Sequence, residues 1–134
     1  MATNTAGSTA REYHSQQVHY LRRDITFAET TAVALTVGVI PAGSVIIKAM
    51  SGTNISTVFN HGTNNRLDIG PTTNDDLYGV DVSLLTANFL PLTETVSHYV
   101  SVDTTIIATP DLTGTAGTTG IGQIVIAYVP DNDL

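Results

Sequence analysis

The residues with most chemical potential in this chain are four histidines (His14, His19, His61 and His98), an aspartate cluster (Asp75, Asp76 and Asp81) and a glycine-rich stretch at Gly114, Gly117, Gly120 and Gly122. Zinc-binding and catalytic histidines work in sets at short fixed spacings. These four are scattered, and each reads as a surface or hydrogen-bonded structural residue. Nucleophilic catalysis needs an activated serine or cysteine beside a base. The chain has no cysteine, and no serine stands in a Gly-x-Ser-x-Gly elbow. Calcium accepts irregular, oxygen-rich loops, so Asp75, Asp76 and Asp81 would offer at most a weak Ca2+ site. They do not follow the acid spacing of a calcium-binding loop and read as solvated loop acids. Glycoside hydrolysis needs two carboxylates facing a sugar cleft, and with no tryptophan the platform for stacking a sugar is poor. No lysine follows the glycines and no helix is predicted after them, which excludes a phosphate loop. The expectation is a protein that is not an enzyme and carries no cofactor.

The elements that would position these residues are strands. Threonine is the commonest residue, at 22 copies, against one lysine. Valine, isoleucine and threonine carry branched β-carbons that suit a pleated, half-buried surface. Glycine, proline, asparagine and aspartate break the chain at the short intervals of a sandwich or barrel. Val18 to Ala28 reads as a first strand, with Arg22 and Arg23 near its middle. Neighbours on a strand point to opposite faces, so one arginine should turn inward or toward a partner; alternatively both guard an edge strand against aggregation. Thr31 to Val39 alternates, with Val33, Leu35, Val37 and Val39 on the core face. A turn at Ile40-Pro41-Ala42-Gly43 follows, because proline fixes its φ and glycine tolerates positive φ.

Ser44 to Met50, Asn54 to Phe59 and Arg66 to Ile69 read as further strands, with a loop at Asn60 to Asn65. Leu77 to Leu90 is ambiguous between strand and a short helical turn. Thr95 to Ala108 reads as one long strand or two with a bend at Asp103-Thr104, Thr113 to Gly122 as a turn, and Ile121 to Val129 as the last strand, with Ile124, Ile126 and Tyr128 facing one way. The expected architecture is all-β: a single antiparallel sandwich of about eight short strands, jelly-roll-like, over residues 18–134. Residues 1–17 are small and polar without apolar period, and read as an arm that orders only against a neighbour.

Charge is divided along the chain. Residues 1–66 hold all five basic residues and three acidic ones, net +2, while residues 67–134 hold nine acidic residues and no basic one. The overall charge of −7 repels phosphate backbones, so no nucleic-acid partner is expected. The acidic half reads as a solvated surface, or as one pole by which copies or partners meet in a fixed orientation. No apolar run approaches the roughly 20 residues that span a bilayer, and Met1 to Ala10 lacks the pattern of a signal peptide. No membrane association is expected.

One resemblance accompanies this reading. Ile25-Thr26-Phe27-Ala28, Val37 through Pro41-Ala42-Gly43 to Ile46, and Phe59-Asn60-His61-Gly62 through Arg66-Leu67-Asp68-Ile69-Gly70 resemble small structural proteins of tailed bacteriophages. Val102-Asp103-Thr104-Thr105-Ile106 and Ile124 to Pro130 are similar as well. The resemblance rests on strands and turns and transfers no functional residue. It implies a virion component assembled in the host cytoplasm: a head decoration, or cement, protein that binds the major capsid protein and neighbouring copies of itself, a homotrimer being the expected assembly. The arm and first strand would then make the contact, through Arg11, Tyr13, Tyr20, Arg22 and Arg23. The competing reading is a carbohydrate-binding module of a head or tail fibre, with Tyr78, Asp75, Asp76 and His61 in its loops.

Overall fold

The segments rich in valine, isoleucine and threonine fold as strands throughout residues 18–131, the part of the chain that this computed structural model describes. They are β1 (His19–Thr26), β2 (Leu35–Ile40), β3 (Val45–Ile46), β4 (Gly52–Thr57), β5 (Asn64–Pro71), β6 (Gly79–Ser83), β7 (Phe89–Pro91), β8 (Thr104–Thr113) and β9 (Ile121–Val129). One sheet runs β1-β9-β4-β7, with β3 also on β9, and the other runs β2-β8-β5-β6. All the pairings between these strands are antiparallel. With the two-residue β3 set aside, the strands form a ribbon folded back on itself: β1 with β9, β2 with β8, β4 with β7, β5 with β6. That is the order of a jelly roll, and the expected antiparallel sandwich is the fold that forms. Ile25, Ile55, Ile124 and Ile126 from one sheet meet Leu35, Ile40, Leu67, Ile69 and Ile106 from the other, all buried.

Several expected boundaries differ from the structure. Alternation over Thr31 to Val39 breaks at a bulge between Thr36 and Gly38, where one extra residue reverses the facing of the strand beyond it. Val39 therefore faces solvent and Ile40 the core. β2 also starts late, because Ala32 takes the left-handed conformation (φ 62°) and binds through its N–H to the Pro110 carbonyl at 2.8 Å. Ser44 to Met50 yields only β3, and Lys48–Met50 is a 3-10 turn. Val96 to Asp103 is irregular apart from a single bridge of Tyr99 to Val45. β8 instead continues through Pro110, whose carbonyl turns to the β2 side past the last β2 pair, Leu35 with Ala108. Its missing N–H falls on that same side, where no strand needs it. Leu77 to Leu90 contains no helix: β6 and the start of β7 flank a run of bends.

The turn before β4 is held from inside. Ser51 is fully buried; its Oγ donates to the Ile47 carbonyl at 2.8 Å and accepts the Ala127 N–H at 2.9 Å. Ser51→Ala is expected to cost about 1–3 kcal/mol, since it orphans a buried N–H of the central strand. Ser44 is equally buried, but its Oγ has no partner among the described residues. Ser44→Ala should therefore cost far less, and denaturant melts of the two variants check the difference.

At one end of the sandwich two polar loops lock together. The Asn65 side chain accepts the His61 N–H at 2.8 Å and donates to the His61 carbonyl at 2.9 Å. Asn60 Oδ1 accepts the N–H groups of Thr118 and Thr119 at 2.8 and 2.9 Å. The asparagines and threonines of these loops thus replace ladder bonds that the turns cannot make.

Candidate functional site

Cross-strand partners share a face of a sheet, so the registers assign every side chain to an inner or an outer surface. On the β2-β8-β5-β6 sheet the outer face carries Thr36, Thr105, Thr109 and Thr113 with Asn64, Arg66, Asp68 and Asp111. Arg66 Nε donates to Asp111 Oδ2 at 2.7 Å and lies 3.2 Å from Asp81 Oδ1. The Arg66 bond, helped by Asn64, holds the Asp111 carboxyl below its ordinary range. This link contributes stability above the usual carboxylate range that is lost as pH falls through the lowered value. Asp68 behaves oppositely. Partial burial pushes its carboxyl up, the Asp81 N–H at 2.7 Å opposes this, and the charges of Asp81, Asp75 and Asp76 raise it further. A raised carboxylate costs stability above its folded pKa and nothing below its unfolded one. Asp68→Asn keeps the acceptor and is expected to stabilise the fold near pH 7. The gain should vanish near pH 3, below the unfolded value of about 3.9; thermal melts at the two pH values read it.

The other outer surface differs in kind. Because Ile124 and Ile126 point inward, Val125, Ala127 and Val129 point outward. Register then places Arg22 beside Val125, Tyr20 beside Ala127, and Val45 beside Val129. Tyr99 bridges to Val45 from the far side, and Phe89 lies beside Asn54 on the same surface. Tyr20 is 60% exposed and Tyr99 56%, with Val45 and Val129 nearly as open. Aromatic and branched aliphatic side chains presented together make this face the candidate binding surface. A shallow depression lined by Arg22, Asp24 and Gln123 adjoins it, and Gln123 Nε2 donates to Asp24 at 2.7 Å.

A solved structure shares this fold. It is a chain of the "Cyanophage Pam1 capsid asymmetric unit", alike at TM-score 0.66 with 17% identity over 95% of this chain and 96% of that one. No family model matches the sequence, and no curated protein does. At such identity the likeness establishes the fold, over essentially the full length of both chains.

The expected contact residues divide among three places. Arg11 and Tyr13 lie outside the described residues. Tyr20 and Arg22 stand on the apolar outer face. Arg23 takes the opposite side, where its Nη1 reaches the Thr36 carbonyl of the facing sheet at 3.4 Å, as one of two adjacent strand residues must. Tyr78 is buried, 3% exposed, in ring contact with His98 at 5.4 Å, and its phenol is pushed up by burial. It has no surface to offer a sugar, which corrects its place among the loop residues of the carbohydrate reading. His19 stacks on Tyr128 at 5.8 Å. Asp81 is engaged by Arg66, and among the described residues no group of three or more histidines and acids is placed to hold a metal ion.

Val45, Tyr99 and Val129 were not distinguished by sequence as contact residues. A signal existed in Ile124 to Val129, six residues without a polar side chain other than the Tyr128 hydroxyl. A strand apolar on both faces has something to cover it on both.

Proposed function

We propose that this chain is a structural protein of a phage virion, a decoration protein that attaches to the outer head surface and reinforces contacts between capsomers. The observation carrying this reading is the end-to-end fold correspondence with a chain of a phage capsid asymmetric unit. The aromatic outer face of the β1-β9-β4-β7 sheet agrees with it: a decoration protein needs one surface for its lattice and another for water. The threonine- and aspartate-rich face suits the outside. Its partners are the major capsid protein and neighbouring copies, with a homotrimer as the proposed assembly. Tyr20 and Arg22 would make contact from the described part of the chain, and Arg11 and Tyr13 from the segment before it.

Mixing the purified chain with undecorated heads and sedimenting them tests the role. Saturable co-sedimentation is expected, and a glycan array should show no selective signal. Failure to co-sediment, or a selective glycan signal, would refute it.

A further inference from the structure

Each sheet of an open sandwich has two edges whose backbone groups can template another strand. Three of the four are blunted here. β7 has three residues and ends at Pro91. β6 carries Asp81 at φ 49°, and its register with β5 shifts between Leu67 and Ile69. β2 is bulged between Thr36 and Gly38 and runs into Pro41. β1 is different: all eight of its residues pair with β9 in unbroken register, and among the described residues no strand pairs with its other side.

The outward groups of β1 can be identified. Phe27 donates its N–H to Gly120 O, continuing the β1–β9 ladder. In an antiparallel ladder alternate residues bond to the same neighbour. The odd-numbered residues of β1 therefore bond to β9, while Tyr20, Arg22 and Asp24 turn their N–H and C=O groups to the open edge. Their side chains lie on the apolar outer face, so the edge and the candidate binding surface are continuous.

Charge decides what fits. Both ion pairs among the described residues belong to Arg66, which leaves Arg22 and Arg23 without a carboxylate; Asp24 is occupied by Gln123. Pairing of β1 with β1 of a second copy must align even residues with even. Of the two antiparallel registers of greatest overlap, one sets Arg22 against its own equivalent, and like charges directly opposite are destabilising. The other sets Arg23 against its own and Arg22 against an Asp24 already engaged by Gln123.

We infer that the open edge of β1 receives an extended, acidic segment of the shell protein as an added strand. This rests on the decoration role proposed above. Backbone bonds from Tyr20, Arg22 and Asp24 supply affinity, and Arg22 and Arg23 favour a carboxylate-bearing strand.

Amide hydrogen exchange of the full chain, free and bound to undecorated heads, tests the inference. Protection of the Tyr20, Arg22 and Asp24 amides is expected to rise about tenfold or more on binding. Arg22→Pro removes one outward N–H without touching the β9 ladder and should weaken attachment about tenfold or more, exceeding the loss in Arg22→Ala. Unprotected edge amides on bound chain, or an Arg22→Pro chain that folds and binds like the original, would overturn the inference while leaving the decoration role intact. Edge protection in concentrated chain without heads would overturn it by making a second copy the occupant. If Arg22→Pro fails to fold, the exchange data on the unaltered chain decide. A chain that never attaches to heads would overturn the decoration role itself, and the inference with it.

Discussion

Phe59→Ala is expected to lower the stability of the sandwich by about 3–5 kcal/mol. Phe59 follows β4 and is 2% exposed. Its N–H donates to the Leu84 carbonyl at 3.1 Å, which holds the residue in place whatever its side chain. The ring lies against Gly120, where an added Cβ would come 2.7 Å from it. Glycine has no side chain to move into the vacated space, and the loops on either side are tied by Asn60 and Asn65. The hole therefore cannot close by relaxation, and its full cost is felt. Equilibrium unfolding in denaturant reads the loss directly; a change under about 1 kcal/mol would mean that this end of the fold collapses more freely than its contacts imply.

Tyr20→Ala carries the largest effect expected on assembly. The side chain stands on the outer surface, largely exposed, beside Ala127 and near Val45 and Val129. It contributes little to the core, so the melting temperature should hardly move. If the apolar face meets the capsid, burying this ring at the centre of the contact should be worth about 2 kcal/mol, and its removal should weaken attachment to undecorated heads about 30-fold. Val39→Ala is the matched control, since Val39 is exposed on the opposite sheet. Binding isotherms of both variants would separate the faces. Equal weakening by both, or by neither, would contradict the assignment of the apolar face.

The sequence made the sandwich legible because alternation is a strong signal wherever one face is buried. Leu35 and Val37, or Ile124 and Ile126, carry that pattern plainly. It misled at Val39, because a bulge reverses facing without changing residue type, and nothing in Val37-Gly38-Val39 distinguishes a bulge from a plain strand. The strand expected to close at Ala108 runs on to Thr113, and Pro110 fits inside it because its absent N–H points where β2 has already ended. Tyr78 looked like a loop residue available to a ligand, and only tertiary packing against His98 puts it inside. The candidate face was half legible. Tyr20 and Arg22 stood out within a strand of mixed polarity, whereas Val45 and Tyr99 come together through a bridge between distant segments. The opposed facing of Arg22 and Arg23 needed only the two-residue period of a strand, and the structure has it.

The central claim is that this chain is a head decoration protein, and electron microscopy of intact virions tests it most directly. The account predicts a small two-sheet density at regular positions on the outer head lattice, its β1-β9-β4-β7 sheet turned toward the shell and its threonine-rich sheet outward. A bare head lattice, with this chain found in the neck or the fibres, would contradict it.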